Sequence, residues 1–191
     1  SFQARVLDEH LPIALEVLAD LVLHPLLLEE DLEREREVVL EEIATVEDTP
    51  DDLVFDLHGS RLWEGHSYGN TILGSRETVS GMPLQAIRDL HRTRYTGKNL
   101  VVAAAGQVVH EEFVSRVEAL FGAVPAGTGP EPLSEPGGAL FGDERVERAS
   151  SQAHIVFGTA IPGHSDPMRF PLALISSALG GGMSSRLFQR V

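Results

Sequence analysis

Along the chain, runs whose apolar residues recur every three or four positions alternate with short runs that are almost continuously apolar. The first run of the helical kind is Leu11 to Leu23, "LPIALEVLADLVL". The His24-Pro25 pair ends it, because proline pushes the preceding residue out of helical geometry. A more acidic helix is expected from Glu29 to Glu47, and Pro50 suits the first turn of a third, "PDDLVFDLHGSRLWEG". Beyond the loop "EGHSYGNTILG", Pro83 opens a helix to about Tyr95, "HEEFVSRVEALF" forms one that Gly122 stops, and "DPMRFPLALISSALGG" carries proline near its start and glycine at its end. "SSRLFQRV" reads as the start of a last helix. Three runs read as strands: Phe2 to Leu7, Asn99 to Gly106 and Ala153 to Ile161.

Residues 123–142 are rich in proline and glycine and read as a linker, which divides the chain into a module over residues 1–122 and the beginning of a second over 143–191. The chain opens on "SFQARVL", with neither an initiator Met nor a signal-peptide pattern, and closes inside an apparent helix, so a fragment is expected. Its compartment is left open, with bacterial cytoplasm and periplasm both compatible.

Composition narrows the function classes. With 191 residues, 42% of them hydrophobic, the chain can bury a core and does not have the makeup of a disordered segment. A formal net charge of −14 repels phosphate backbones and anionic lipid, which argues against nucleic acid and membrane surfaces as partners. No cysteine is present, so thiolate metal sites and cysteine nucleophiles are excluded and only His and carboxylates could bind a metal. The longest apolar stretch is broken by Glu16, Asp20, His24 and two prolines, too often for a membrane span.

On a wheel of about 100° per residue, Leu32, Val39, Ile43 and Val46 of the acidic helix fall within roughly 60° of one another and form its core stripe. Val38 lies about 100° to one side, and among the residues between it and the stripe are Glu35 and Glu42. Glu33 has Arg36 three positions on, and Glu37 has Arg34 three positions back, whereas Glu35 and Glu42 have no cation at helical neighbour spacing. Their placement fits two acids flanking a stripe as well as two acids turned toward chemistry. The eight histidines contain no pair at three- or four-residue spacing, so the chain encodes no complete zinc site; His66 in the glycine-rich loop and His154 in a strand-like run are the two worth following. Ser150-Ser151 and Ser184-Ser185 have no nucleophile-elbow pattern, and "LGGGMSS" lacks the Lys-Ser/Thr ending of a phosphate loop.

Several stretches together resemble the inverted-motif zinc peptidases, the M16 group of pitrilysin, insulin-degrading enzyme and the mitochondrial processing peptidase, most closely its short bacterial members. They are "ARVLDEHLPIALEVLADLVLHPLL", "LEREREVVLEEIATVEDTPDD" with its Glu-Arg-x-x-Val-x-x-Glu core, "YGNTILGSRETV", "NLVVAAAGQV", and "QAHIVFG" followed by "LGGGMSSRLFQ". The resemblance implies an α+β fold in which a mainly antiparallel sheet is covered by helices, with most of one such module and the start of a similar one. It implies that Glu42 is the third ligand of one Zn2+ ion and Glu35 a supporting acid beside the site. The His-x-x-Glu-His ligands and general base would lie upstream of Ser1, and an Arg and Tyr pair resembling a substrate-carbonyl clamp would lie beyond Val191. The implied activity of the longer protein is zinc-dependent endopeptidase cleavage of peptides or unfolded, presequence-like polypeptides, with pairing to a second copy or a related subunit. The alternative is a non-catalytic relative that holds substrate or a partner without zinc.

Overall fold

The computed structural model describes residues 1–149 and 151–191. Among the described residues seven α-helices form: α1 (Leu11–Leu23), α2 (Glu29–Asp48), α3 (Pro50–Leu62), α4 (Arg76–Gly81), α5 (Leu84–Arg94), α6 (His110–Phe121) and α7 (Arg169–Gly180). Single 3-10 turns lie at Asp8–His10, Ser67–Gly69 and Gly97–Asn99. The chain divides into two compact units, one of residues 1–49 and 72–135, the other of 50–71 and 136–191.

The expected α+β fold with a mainly antiparallel sheet is not what forms. No strand or sheet occurs among the described residues, and the runs Phe2 to Leu7, Asn99 to Gly106 and Ala153 to Ile161 pair neither with one another nor with any other segment. The physical reason is that a strand exists only as half of a ladder. Val101 and Ala103 to Ala105 are exposed, and no backbone hydrogen bond crosses from residues 101–105 to another described segment. Apolar content and β-branching make these runs able to pair but do not supply the partner.

In the first unit, Leu15, Ala19 and Val22 form the buried face of α1, at the four- and three-residue spacing of one helical stripe. This helix packs against α6, which turns Phe113, Val117 and Leu120 to its half-buried side. Helix α5 is fastened to the α1–α2 connection by polar contacts: His91 Nε2 lies 2.8 Å from the Val22 carbonyl, and Arg88 donates to the Leu27 carbonyl at 2.9 Å. Leu27 itself has φ of +45°, a left-handed conformation that a γ-branched residue adopts only under constraint. After α6 the chain returns to the 97–99 turn, where the Gly97 and Lys98 N–H groups donate to the Pro125 and Ala126 carbonyls at 2.9 and 3.0 Å. Gly127 follows at φ +64°, and a Cβ there would come within 2.4 Å of the Thr96 side chain, so glycine is required twice over.

Helix α4 was not evident from apolar periodicity, being only six residues long. A capping box starts it: Ser75 Oγ accepts from the Thr78 N–H at 3.2 Å, and Thr78 Oγ1 accepts from the Ser75 N–H at 2.9 Å. It packs along α2, whose half-buried and buried residues are Leu32, Arg36, Val39, Leu40, Ile43, Ala44, Val46 and Glu47.

In the second unit, Leu62 is buried at the end of α3 and its carbonyl accepts from the Leu140 N–H at 3.1 Å. The turn after α7 folds back on that helix through Arg186 and Leu187, whose N–H groups reach the Ala178 and Leu179 carbonyls at 3.0 and 2.9 Å. "SSRLFQRV" therefore closes as a series of turns and not as an assigned helix.

Two measurements check the first unit. Ile43→Ala should destabilise it by about 2 to 4 kcal/mol in a denaturant titration, whereas Val38→Ala, at an exposed position, should stay within about 0.5 kcal/mol. Glu77 titrates below its ordinary 4.5, because its own backbone N–H and the Ser75 hydroxyl bond to the carboxylate. A depressed folded-state value means stabilisation that is present above the ordinary value and lost as the pH falls through the depressed one. Glu77→Gln should therefore make the unfolding midpoint less sensitive to pH below about 4.5, the ordinary value; an unchanged acid limb would remove this role.

Candidate functional site

The acidic helix decides where the candidate acids point. Its packed arc begins at Val46, Val39, Leu32 and Ile43, as the wheel predicts, but it widens toward Arg36, Glu47 and Leu40. It does not widen toward Glu42, Glu35 and Val38, which form an exposed flank; Val38 is 48% exposed. Among the described residues neither Glu35 nor Glu42 takes a side-chain hydrogen bond or ion pair. Seven residues of helix separate them by about 10 Å along the axis, on nearly the same side.

The neighbouring acids are arranged differently. Arg34 pairs with Glu30 at 3.4 Å and Asp31 at 3.1 Å, and not with Glu37. Arg36 meets Glu33 at 3.3 Å, as its spacing predicts, but its guanidinium mainly serves α4: it donates to the Val79 carbonyl, to Ser80 O at 2.9 Å and to Met82 O at 2.9 Å. At the other end of α4, Arg76 Nη2 and Nε donate to Glu47 Oε2 at 2.6 and 3.1 Å. That bond, and then the Glu47 charge, raises the Arg76 guanidinium above its ordinary value. Arg36 and the Arg76–Glu47 pair were missed in the sequence. The one available signal was Arg36 falling at the edge of the core stripe, about 20° past Ile43, where a charged group that becomes covered needs fixed partners.

A catalytic zinc ion takes three protein ligands and keeps a fourth position for water. Among the described residues no three His, Asp or Glu side chains converge as a metal site. Glu42 has the chemistry for one ligand position, an accessible carboxylate with no competing cation, but the described residues do not make a complete centre. Three of the histidines are engaged elsewhere: His91 at Val22, His154 Nδ1 with Asp51 at 2.5 Å, and His66 Nδ1 accepting from the Tyr68 N–H at 3.1 Å. His66 also stacks edge-on with Tyr68, 4.6 Å between centroids, beside Trp63. The His66 and Trp63 rings border a shallow cleft of about 360 Å³ in the second unit, lined also with Ser60, Glu64 and Asn70; neither Glu35 nor Glu42 lines it. No described helix is long and apolar enough to cross a membrane.

Comparison with known proteins bears on both ends of the chain. The family model described as Insulinase (Peptidase family M16) matches residues 1–76, and that described as Peptidase M16 inactive domain matches 82–191. The chain belongs to the peptidase M16 family. Proteins called uncharacterized zinc proteases are similar along the whole chain: one from Streptomyces coelicolor at 39% identity, one from Mycobacterium tuberculosis at 39% and one from Bacillus subtilis at 36%. The chain covers 43%, 44% and 46% of their lengths, somewhat under half. A crystal structure titled as a peptidase M16 inactive domain from Pseudomonas fluorescens shares the fold, with a TM-score of 0.75 and 21% identity over 92% of this chain and 43% of that one.

The 191-residue chain by itself should take up no stoichiometric zinc on equilibrium dialysis and should cleave no quenched peptide, because isolated carboxylates hold zinc weakly. One zinc per chain together with chelator-sensitive cleavage would show that a complete centre assembles within these residues.

Proposed function

We propose that this chain is part of a zinc-dependent endopeptidase and that α2 presents Glu42 as the carboxylate ligand, with Glu35 as a supporting acid. The observation that most supports this is the pair of unpartnered carboxylates seven residues apart on one exposed flank of α2, in a member of the M16 family. A bound zinc ion supplies a water of lowered pKa and polarises the scissile carbonyl. In that setting Glu42 contributes an anionic oxygen donor and keeps the local charge low, while Glu35 accepts a hydrogen bond that orients a neighbouring ligand. The residue that removes the proton from water comes from outside this chain, and so do the histidine ligands. The substrate is an extended peptide.

A second reading is a subunit that holds substrate or a partner without zinc. The match of residues 82–191 to a model described as an inactive domain favours it. Zinc content of the full-length protein separates the two.

Three single substitutions in the full-length protein test the catalytic reading. Glu42→Gln should cost most of the zinc measured by elemental analysis and most of the cleavage of a quenched peptide, since a neutral amide is a poor zinc ligand. Glu35→Gln should keep metal at least in part and lower turnover on the order of 10- to 100-fold, the usual cost of losing a group that orients a ligand. Glu41→Gln, about 100° round the helix from Glu42, should change little. Loss of zinc in Glu41→Gln with retention in Glu42→Gln would overturn the assignment.

A further inference from the structure

We infer that Arg36 is a positioning residue: by binding the carbonyls at the end of α4 it sets the roll of α2 about its own axis, and so the direction in which Glu42 is presented. The inference rests on the reading of Glu42 as a zinc ligand. Its structural basis is separate, and lies in how two helices of one compact unit are joined.

The last carbonyls of a helix have no partner within it and carry the negative end of the helix dipole. At the end of α4 these groups meet the Arg36 guanidinium, which donates to the Val79, Ser80 and Met82 carbonyls while holding Glu33. Its side chain is only 14% exposed, in a helix whose other ion-paired arginine, Arg34, is 70% exposed. The start of α4 is held to the same helix by Arg76 on Glu47. Arg36 and Glu47 are eleven residues apart, about 16 Å along α2 and within about 20° on its circumference. The two straps therefore run along one line of the helix.

An apolar stripe alone allows a helix to roll by several degrees at little cost, because dispersion contacts are non-directional. Two directional straps along one line do not. A carboxylate stands some 6 Å from the helix axis, so a roll of 10° moves it by about 1 Å. Zinc sites hold their ligand distances to within about 0.2 Å. Glu42 lies roughly 120° round from the strap line, so roll becomes sideways displacement of its carboxylate. Arg36 is the better placed strap, being less exposed than the Arg76–Glu47 pair and sitting between Glu35 and Glu42 in sequence.

The test uses the full-length protein and measures zinc affinity by competition with a chelator, at a temperature where circular dichroism shows each variant fully folded. Arg36→Met should weaken zinc binding by about 10- to 100-fold, the range for groups that orient a ligand. Arg36→Lys, which keeps the charge but loses the planar fork, should recover part of that loss. Arg34→Met should bind zinc within twofold of the parent protein. Turnover should fall with affinity while KM stays near the parent value, since no substrate contact is removed. If Arg36→Met lowers the unfolding temperature but leaves zinc affinity unchanged, Arg36 is only a structural strap and the inference fails. If Arg36→Met does not fold, Arg36→Lys decides, and unchanged affinity there overturns it equally. Glu42→Gln is measured alongside: retained zinc in that variant would overturn the ligand assignment itself, and lost zinc isolates the question of Arg36.

Discussion

Helix ends in this chain need partners that the helices themselves lack, and the meeting of the α4 carbonyls with Arg36 is the contact on which the arrangement of the first unit turns. A six-residue helix is too short to persist in water through its own hydrogen bonds. Helix α4 forms because its first turn is capped by Ser75 and Thr78 and its last carbonyls are taken up by a guanidinium from α2. The same contact removes a charged group from solvent without stranding it, because both terminal nitrogens of the guanidinium find oxygens. Helix α2 gains in return. Its last turn contains no basic residue and ends in Glu47 and Asp48, the wrong charge for that end of the dipole, and Arg76 supplies the missing cation.

How much of this was legible in the sequence follows from how local each cause is. Helix spans were legible because apolar spacing, Pro25, Pro50, Pro83 and Gly122 act within a few residues of the boundary they set, and α1, α2, α3, α5, α6 and α7 lie where those signals put them. The strand-like runs were misjudged because pairing is non-local: "NLVVAAAG" has the composition of a strand, but composition does not provide the neighbour that would make it one. For α4 a local signal did exist, the Ser-x-x-Thr of its capping box, and apolar periodicity gave no weight to it.

The candidate acids show the same division. The stripe of α2 could be read from the wheel, but not which of its two margins would be covered. That depended on where α4 lies, and the end of α4 is held through carbonyl oxygens, which every residue type has and no sequence pattern marks. Glu35 and Glu42 consequently stand on the uncovered margin, whereas Arg36 and Glu47 occupy the covered one.

Val38 lies between Glu35 and Glu42 on that margin, an exposed apolar side chain next to two unpaired carboxylates. Covering Val38 with a neutral apolar surface would gain little, since the contact would also strip water from two anions and give nothing back. The flank is thus selective by desolvation: contacts that bring hydrogen-bond donors or positive charge to the two carboxylates are favoured there over apolar contact alone.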